Sequence, residues 1–200
     1  VTLKFNQSIR LTIEGKLTAI GEVDKKIVLT ANSDSPPPNY WWGIYFLNSS
    51  GNQLENVVVN YAGKIYTPFY ELPIIWAALQ VENSEISVKN SLLENSLPGG
   101  IWLVNSTSTI EGVEFLNIKN SDLPLFYNTA ALLIDGGTAE VKNSTFKGNS
   151  KGIKISGRAS PRIENNTFEE NETPIFLEGV SYPVFGENLA RNNNLDGILV

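Results

Sequence analysis

Apolar residues recur along this chain as pairs spaced by two: Ile44/Phe46, Leu79/Val81, Ile101/Leu103, Leu132/Ile134, Ile153/Ile155, Ile175/Leu177 and Ile198/Val200. A spacing of two is the mark of a strand with one buried face. The first members step by 35, 22, 31, 21, 22 and 23 residues, so the base period is about 22, with two longer turns. A second row keeps the same period: Leu54, Val88, Ile110, Val141, Ile163 and Val184. Five residues after each stands another apolar residue: Val59, Leu93, Phe115, Phe146, Phe168 and Leu189. Five is odd, so a straight strand cannot put both on one face and a bend must intervene. Asn56, Asn90, Gly112, Asn143, Asn165 and Gly186 stand two residues after the row, and Asn and Gly accept the left-handed backbone of such a corner.

Each unit therefore reads as strand, sharp corner, strand, turn, strand. Three short strands cannot bury their own apolar face; stacking turns roughly 4.8 Å apart does so. No segment shows a 3.6-residue period, and the L-x-x-L-x-L strand of a leucine-rich repeat is missing. The reading is an all-β single-stranded solenoid of about eight turns over residues 1–200. V-K-N-S-T-F-K-G-N (141–149) and I-E-N-N-T-F-E-E-N (163–171), followed by G-I-K-I (152–155) and P-I-F-L (174–177), resemble the repeats of right-handed parallel β-helix proteins. That architecture is shared by pectate lyases and many secreted microbial surface proteins. The stretch 15–46 is similar to N-terminal turns of such surface proteins. The resemblance implies the fold and an extracellular or cell-surface setting, and it leaves the activity open.

Composition adds exclusions. There is no Cys, His or Met, which removes disulfides, thiolate chemistry and imidazole. The net charge of -6 with scattered Lys and Arg argues against nucleic acid, and no apolar run is long enough to span a membrane. The 23 Asn are read mainly as architecture, with Asn149, Asn171 and Asn192 forming a stacked row of side-chain amides. Glycosylation sequons occur at Asn6, Asn48, Asn105, Asn143, Asn165 and Asn171.

The long connections fall at one corner: Ala31 to Trp41, Tyr61 to Trp76 and Asn117 to Ala131. They carry Tyr40 and Trp41, then Tyr66, Phe69 and Tyr70, then Phe126 and Tyr127. The outward residues between the buried pairs are Tyr45, Gln80, Trp102, Leu133, Lys154, Phe176 and Leu199. By the same parity Trp41 points outward and Trp42 inward. Tyr45 and Trp102 stand two turns apart, roughly 10 Å, which is about the spacing of alternate sugars on a flat β-linked glycan. Aromatic rings that stack on sugars, with Gln80 and Lys154 beside them, make this row a candidate glycan site. Two other readings stay open: the loops fold back over the face, or the face pairs with another surface domain or a second copy.

For a calcium-dependent lyase of this fold, the resemblance implies clustered Asp. The five Asp, at 24, 34, 122, 135 and 196, are scattered. A hydrolase of the polygalacturonase type implies a G-H-G segment, and there is no His. Arg158, Arg162 and Glu164 form the best basic–acidic cluster, and Glu164, Glu169, Glu170 and Glu172 crowd one region. The balance favours a non-catalytic module without cofactor or metal. V-T-L-K-F at the start and G-I-L-V at the end carry no cap, so the chain reads as a portion of a longer surface protein, with head-to-tail stacking as the alternative.

Overall fold

A computed structural model describes residues 1–66, 74–119, 129–195 and 197–199. Strands that succeed one another around each turn lie on three faces. The first face stacks Arg10–Ile13, Gly43–Leu47, Leu79–Glu82, the start of Ile101–Glu111, the start of Leu132–Lys142, Lys151–Ser156, Thr173–Leu177 and Ile198–Leu199. The second holds Thr18–Ile20, Asn52–Glu55, Glu85–Lys89, the ends of the same two long strands, Arg162–Glu164 and Val184–Phe185. The third stacks Thr2–Phe5, Ile27–Ala31, Val57–Asn60, Leu92–Glu94, Glu114–Leu116, Thr145–Lys147, Thr167–Glu169 and Leu189–Arg191. Every strand pairing between turns is parallel, and the described residues contain no helix. This is the coiled stack that the 22-residue period predicts.

The interior follows from alternation. Ile44, Leu79, Ile101, Leu132, Ile153 and Ile175 pair rung on rung and are buried, as are Phe46, Val81, Leu103, Ile134 and Ile155. On the third face Phe115, Phe146 and Phe168 stack with ring centroids 4.6 and 4.9 Å apart. Burying each such ring contributes about 1.5–3 kcal/mol. Where the third face turns into the first, the chain runs so close to this stack that a Cβ on Gly152 would meet the Phe168 ring at 2.9 Å.

Left-handed residues mark all three corners, two more per turn than the spacing of the apolar rows locates. Asn48, Asn83, Asn105, Gly136, Gly157 and Gly179 turn the first into the second face. Asn56, Asn90, Gly112, Asn143 and Asn165 turn the second into the third, as expected. Tyr61, Asn95, Asn117, Gly148, Glu170 and Asn192 close the turn. The residue after the bend points inward, and its side-chain oxygen accepts the backbone N–H of the equivalent residue one turn earlier. Ser91, Ser144, Asn166 and Asn188 do this at the second corner, and Ser96, Asn149, Asn171 and Asn193 at the third. Donors that the bend removes from strand pairing are thereby satisfied.

Two sequence expectations are corrected. In the last full turn Phe185, not Val184, pairs with Ile163, and Val184 is 56% exposed. Leu177 to Phe185 spans eight residues, as Ile155 to Ile163 does in the turn below, so the unbroken 22-residue step puts Ala190 rather than Leu189 on the inner row and Asn193 rather than Asn192 in the amide row. Gly186 accordingly falls outside the left-handed corner residues. The second correction concerns Trp41 and Trp42. Trp41 is fully buried, stacked 4.1 Å from Phe5, with its Nε1–H donating to the Asn60 carbonyl at 2.8 Å. Gly43, at φ 81° and the first residue of its strand, inverts the alternation there, so Trp42 takes the outward place.

A row of alternating charge runs up the second face. Glu55, Lys89, Glu111, Lys142 and Glu164 pair in register, with Lys89–Glu111 at 3.1 Å and Lys142–Glu111 at 3.9 Å. The long connections all join a third-face strand to the next first-face strand. One contains an antiparallel hairpin, Lys64–Tyr66 against Ile74–Trp76.

Candidate functional site

Strand register makes the outward row of the first face continuous. Thr12, Tyr45, Gln80, Trp102, Leu133, Lys154, Phe176 and Leu199 are Cα partners from turn to turn. Alternation within each strand turns the side chains from Tyr45 to Phe176 away from the core, and this stretch of the row is not a solvated surface. Gln80 is 6% exposed, Leu133 3% and Lys154 0%, whereas Tyr45, Trp102 and Phe176 are half-buried.

Polar groups hold the aromatic rungs in place. The Tyr45 hydroxyl donates to Glu82 Oε2 at 2.6 Å, and the Arg10 guanidinium lies 4.9 Å from the Tyr45 ring centroid. Burial first, then the bond to Glu82, pushes the Tyr45 phenol up to about 12. Lys64 of the hairpin sits 3.6 Å above the Trp42 ring, and burial followed by Arg10 lowers its ammonium. At the other end Lys154 Nζ lies 2.7 Å from Glu178 Oε2, and Lys151 and Lys154 stand 5.6 and 5.5 Å from the Phe176 ring. Burial, then the charge of Lys154, lowers the Lys151 ammonium.

Between these ends the face narrows. A cavity of about 10 Å³, lined by Ala77, Pro98, Gly99, Trp102, Ala130 and Leu133, has room for about one water and none for a sugar ring. A wider groove, of about 610 Å³, follows the first corner along Ser49, Ser50, Asn83, Ser84, Glu85, Asn105 and Thr107.

The structure thus brings Tyr45, Gln80, Trp102, Lys154 and Phe176 into one row and takes Trp41 out of it. Tyr40 is half-buried against the core, and its hydroxyl donates to the Asn32 carbonyl at 3.2 Å. Tyr66 ends a hairpin strand, while Phe69, Tyr70, Phe126 and Tyr127 lie outside the described residues. Arg10, Trp42, Lys64, Glu82 and Glu178 escape the sequence argument. Glu82 and Glu178 had a signal: acids stand three after the first member of a buried pair, at Glu82, Asp135 and Glu178. Of the sequon residues, Asn6, Asn48, Asn105, Asn143 and Asn165 are exposed. Asn171 is not a surface acceptor: it is 1% exposed, and its Nδ2 donates to the Phe146 carbonyl at 2.9 Å.

The carboxylates do not converge. Glu164 is ion-paired with Arg162 on the second face, and Glu169 on the third face lies 3.4 Å from Lys147 and 3.3 Å from Arg191. Burial alone raises the Glu169 carboxyl, but Arg191 and Lys147 outweigh it and hold the group below its ordinary value, the wrong direction for a general acid. Among the described residues no three acidic side chains gather as a metal site would need. No helix of the described chain is long and apolar enough to cross a membrane.

No curated protein matches the chain. Among solved structures, an alginate lyase from Paenibacillus sp. str. FPU-7 is similar at 14% identity and a TM-score of 0.30, over 100% of this chain and 92% of that one. The family model described as "Right handed beta helix region" matches residues 77–200. With its parallel three-faced stack, the chain belongs to the right-handed β-helix family.

Proposed function

We propose that this β-helix is a non-catalytic, extracellular carbohydrate-binding module, and that its ligand lies along the first face at Tyr45, Gln80 and Trp102. One observation carries the reading. Three successive rungs present ring, amide, ring in register, and both rings keep part of their surface in water. The Glu82 bond and the Arg10 contact fix the Tyr45 ring before any ligand arrives, so little side-chain entropy is lost on binding. The five exposed sequons are compatible with a secreted protein. Retention on a panel of insoluble and soluble glycans tests the proposal: wild type is retained, and Tyr45→Ala with Trp102→Ala is not. Retention unchanged in the double variant overturns it. Release of reducing or unsaturated sugar ends from the same panel would instead favour a lyase or hydrolase.

A second reading has its own observation. All the large exposed hydrophobics of the described chain lie in the end turns, from Val1 to Val23 and from Val180 to Ile198. Head-to-tail stacking of copies would cover them. Light scattering tests this: Leu3→Lys and Leu189→Lys should each break up a concentration-dependent oligomer, and a wild-type monomer at all concentrations ends the idea.

A further inference from the structure

Two lysines of one first-face strand converge on a single ring of the next turn. The Nζ atoms of Lys151 and Lys154 lie 5.6 and 5.5 Å from the centroid of Phe176. Their surroundings differ. Lys154 is fully buried and held by Glu178 at 2.7 Å. Lys151 is half-buried with its Nζ still open to water, and among the described residues no carboxylate comes within ion-pair distance of it.

This cluster acts on the Lys151 nitrogen in one direction. Burial disfavours the charged form, and the fixed charge of Lys154 adds to it. Glu172 and Glu178 oppose these effects and are outweighed, so the ammonium is lowered. Desolvation and a neighbouring cation are the two means by which a lysine becomes a nucleophile at neutral pH. Phe176 supplies the rest of a site: it is half-buried, and the part of its ring left in water is an apolar surface beside the nitrogen.

We propose that Lys151 is a nucleophilic amine that takes an aldehyde as a Schiff base, with the body of the aldehyde against Phe176. The neutral Nζ gives its lone pair to the carbonyl carbon, and the carbonyl oxygen becomes the hydroxyl of a carbinolamine. That oxygen leaves as water with the two hydrogens of the nitrogen, and a C=N bond remains. Nothing is oxidised or reduced. Lys154 is closed to the ligand and acts only through its charge on Lys151, as a positioning residue. The assignment goes beyond the carbohydrate reading and does not depend on it.

Competitive reductive alkylation of the whole chain tests it. Limiting glyceraldehyde is the probe at about pH 7, cyanoborohydride traps the imine as a secondary amine, and peptide mass spectrometry ranks the lysines. Lys151 should be labelled at least about fivefold faster than the exposed Lys16 and Lys26. Lys154→Met should slow Lys151 by about threefold or more, and Glu172→Gln should speed it by about twofold, while Lys16 keeps its rate. A purely structural role would not move the rate in opposite directions. Thermal melts check folding; if Lys154→Met is unfolded, the wild-type ranking and Glu172→Gln decide. Lys151 labelled no faster than Lys16, or at a rate that the folded variants leave unchanged, overturns the proposal.

Discussion

Asn149 reaches Asn171, 22 residues later, through two bonds to one atom: its backbone N–H and its Nδ2 both donate to Asn171 Oδ1 at 3.0 Å. Asn171 repeats the same pair of bonds to Asn193, at 2.9 and 3.0 Å, and returns its Nδ2 to the Phe146 carbonyl. One side chain thus serves three successive turns.

Asn171→Ala takes the acceptor from the buried Asn149 N–H and the amide donor from the Phe146 carbonyl, both on the turn below, while Asn193 Oδ1 keeps the backbone N–H of residue 171. The expected cost is about 3 kcal/mol or more, read from the midpoint of urea unfolding. Asn171→Ser should lie between the variant and wild type, because Ser96 and Ser144 fill the equivalent place and reach the backbone N–H of the turn below.

Lys154 is fully buried while its partner Glu178 is half in water. Glu178→Ala should destabilise by about 2 kcal/mol, less than the loss of a partner from a wholly buried pair. Lys154→Met should be neutral or stabilising, since an apolar chain of similar length fills the same space without burying a charge. A large loss in Lys154→Met would mean that the charge itself orders the face.

Glu170 occupies a left-handed corner place, at φ 57°, where the turn below has Gly148 and the turn above Asn192. Its ion pair with Lys147, at 3.5 Å, is exposed and contributes little. Glu170→Asn should gain about 1 kcal/mol, and Tm should rise by about 2–4 °C in calorimetry.

The raised Tyr45 phenol ties stability to alkaline pH. Its folded value of about 12 lies above the ordinary 10, so the neutral form is favoured in the folded state. Its stabilising contribution is complete below about 10 and is lost as pH climbs through about 12. In an ultraviolet titration the component near 12 should disappear in Tyr45→Phe.

Much of the architecture is legible in the sequence because burial imposes strict alternation. The paired rows from Ile44 to Ile198 are in register as read, and so is the outward row from Tyr45 to Leu199. Parity fails where a single residue breaks the count. Gly43 exchanges Trp41 with Trp42, and Val184, an apolar residue one short of the 22-residue step, draws the count away from Phe185, Ala190 and Asn193. The inner Asn166–Asn188 row escapes notice because counting the last turn from Val184 instead of Phe185 puts the two residues out of step. The depth at which Gln80 and Lys154 sit is not written in their own rungs, since exposure of an outward residue depends on distant chain.

Stacks of near-identical turns carry a hazard of their own: a strand shifted by one turn during folding meets an almost equally good apolar partner. The row Glu55, Lys89, Glu111, Lys142, Glu164 works against that error. Because its sign alternates, a slip of one turn sets Glu on Glu and Lys on Lys, while the correct register sets every acid beside a base. The row acts as a parity check on assembly. It tells odd turns from even ones where the apolar interior cannot.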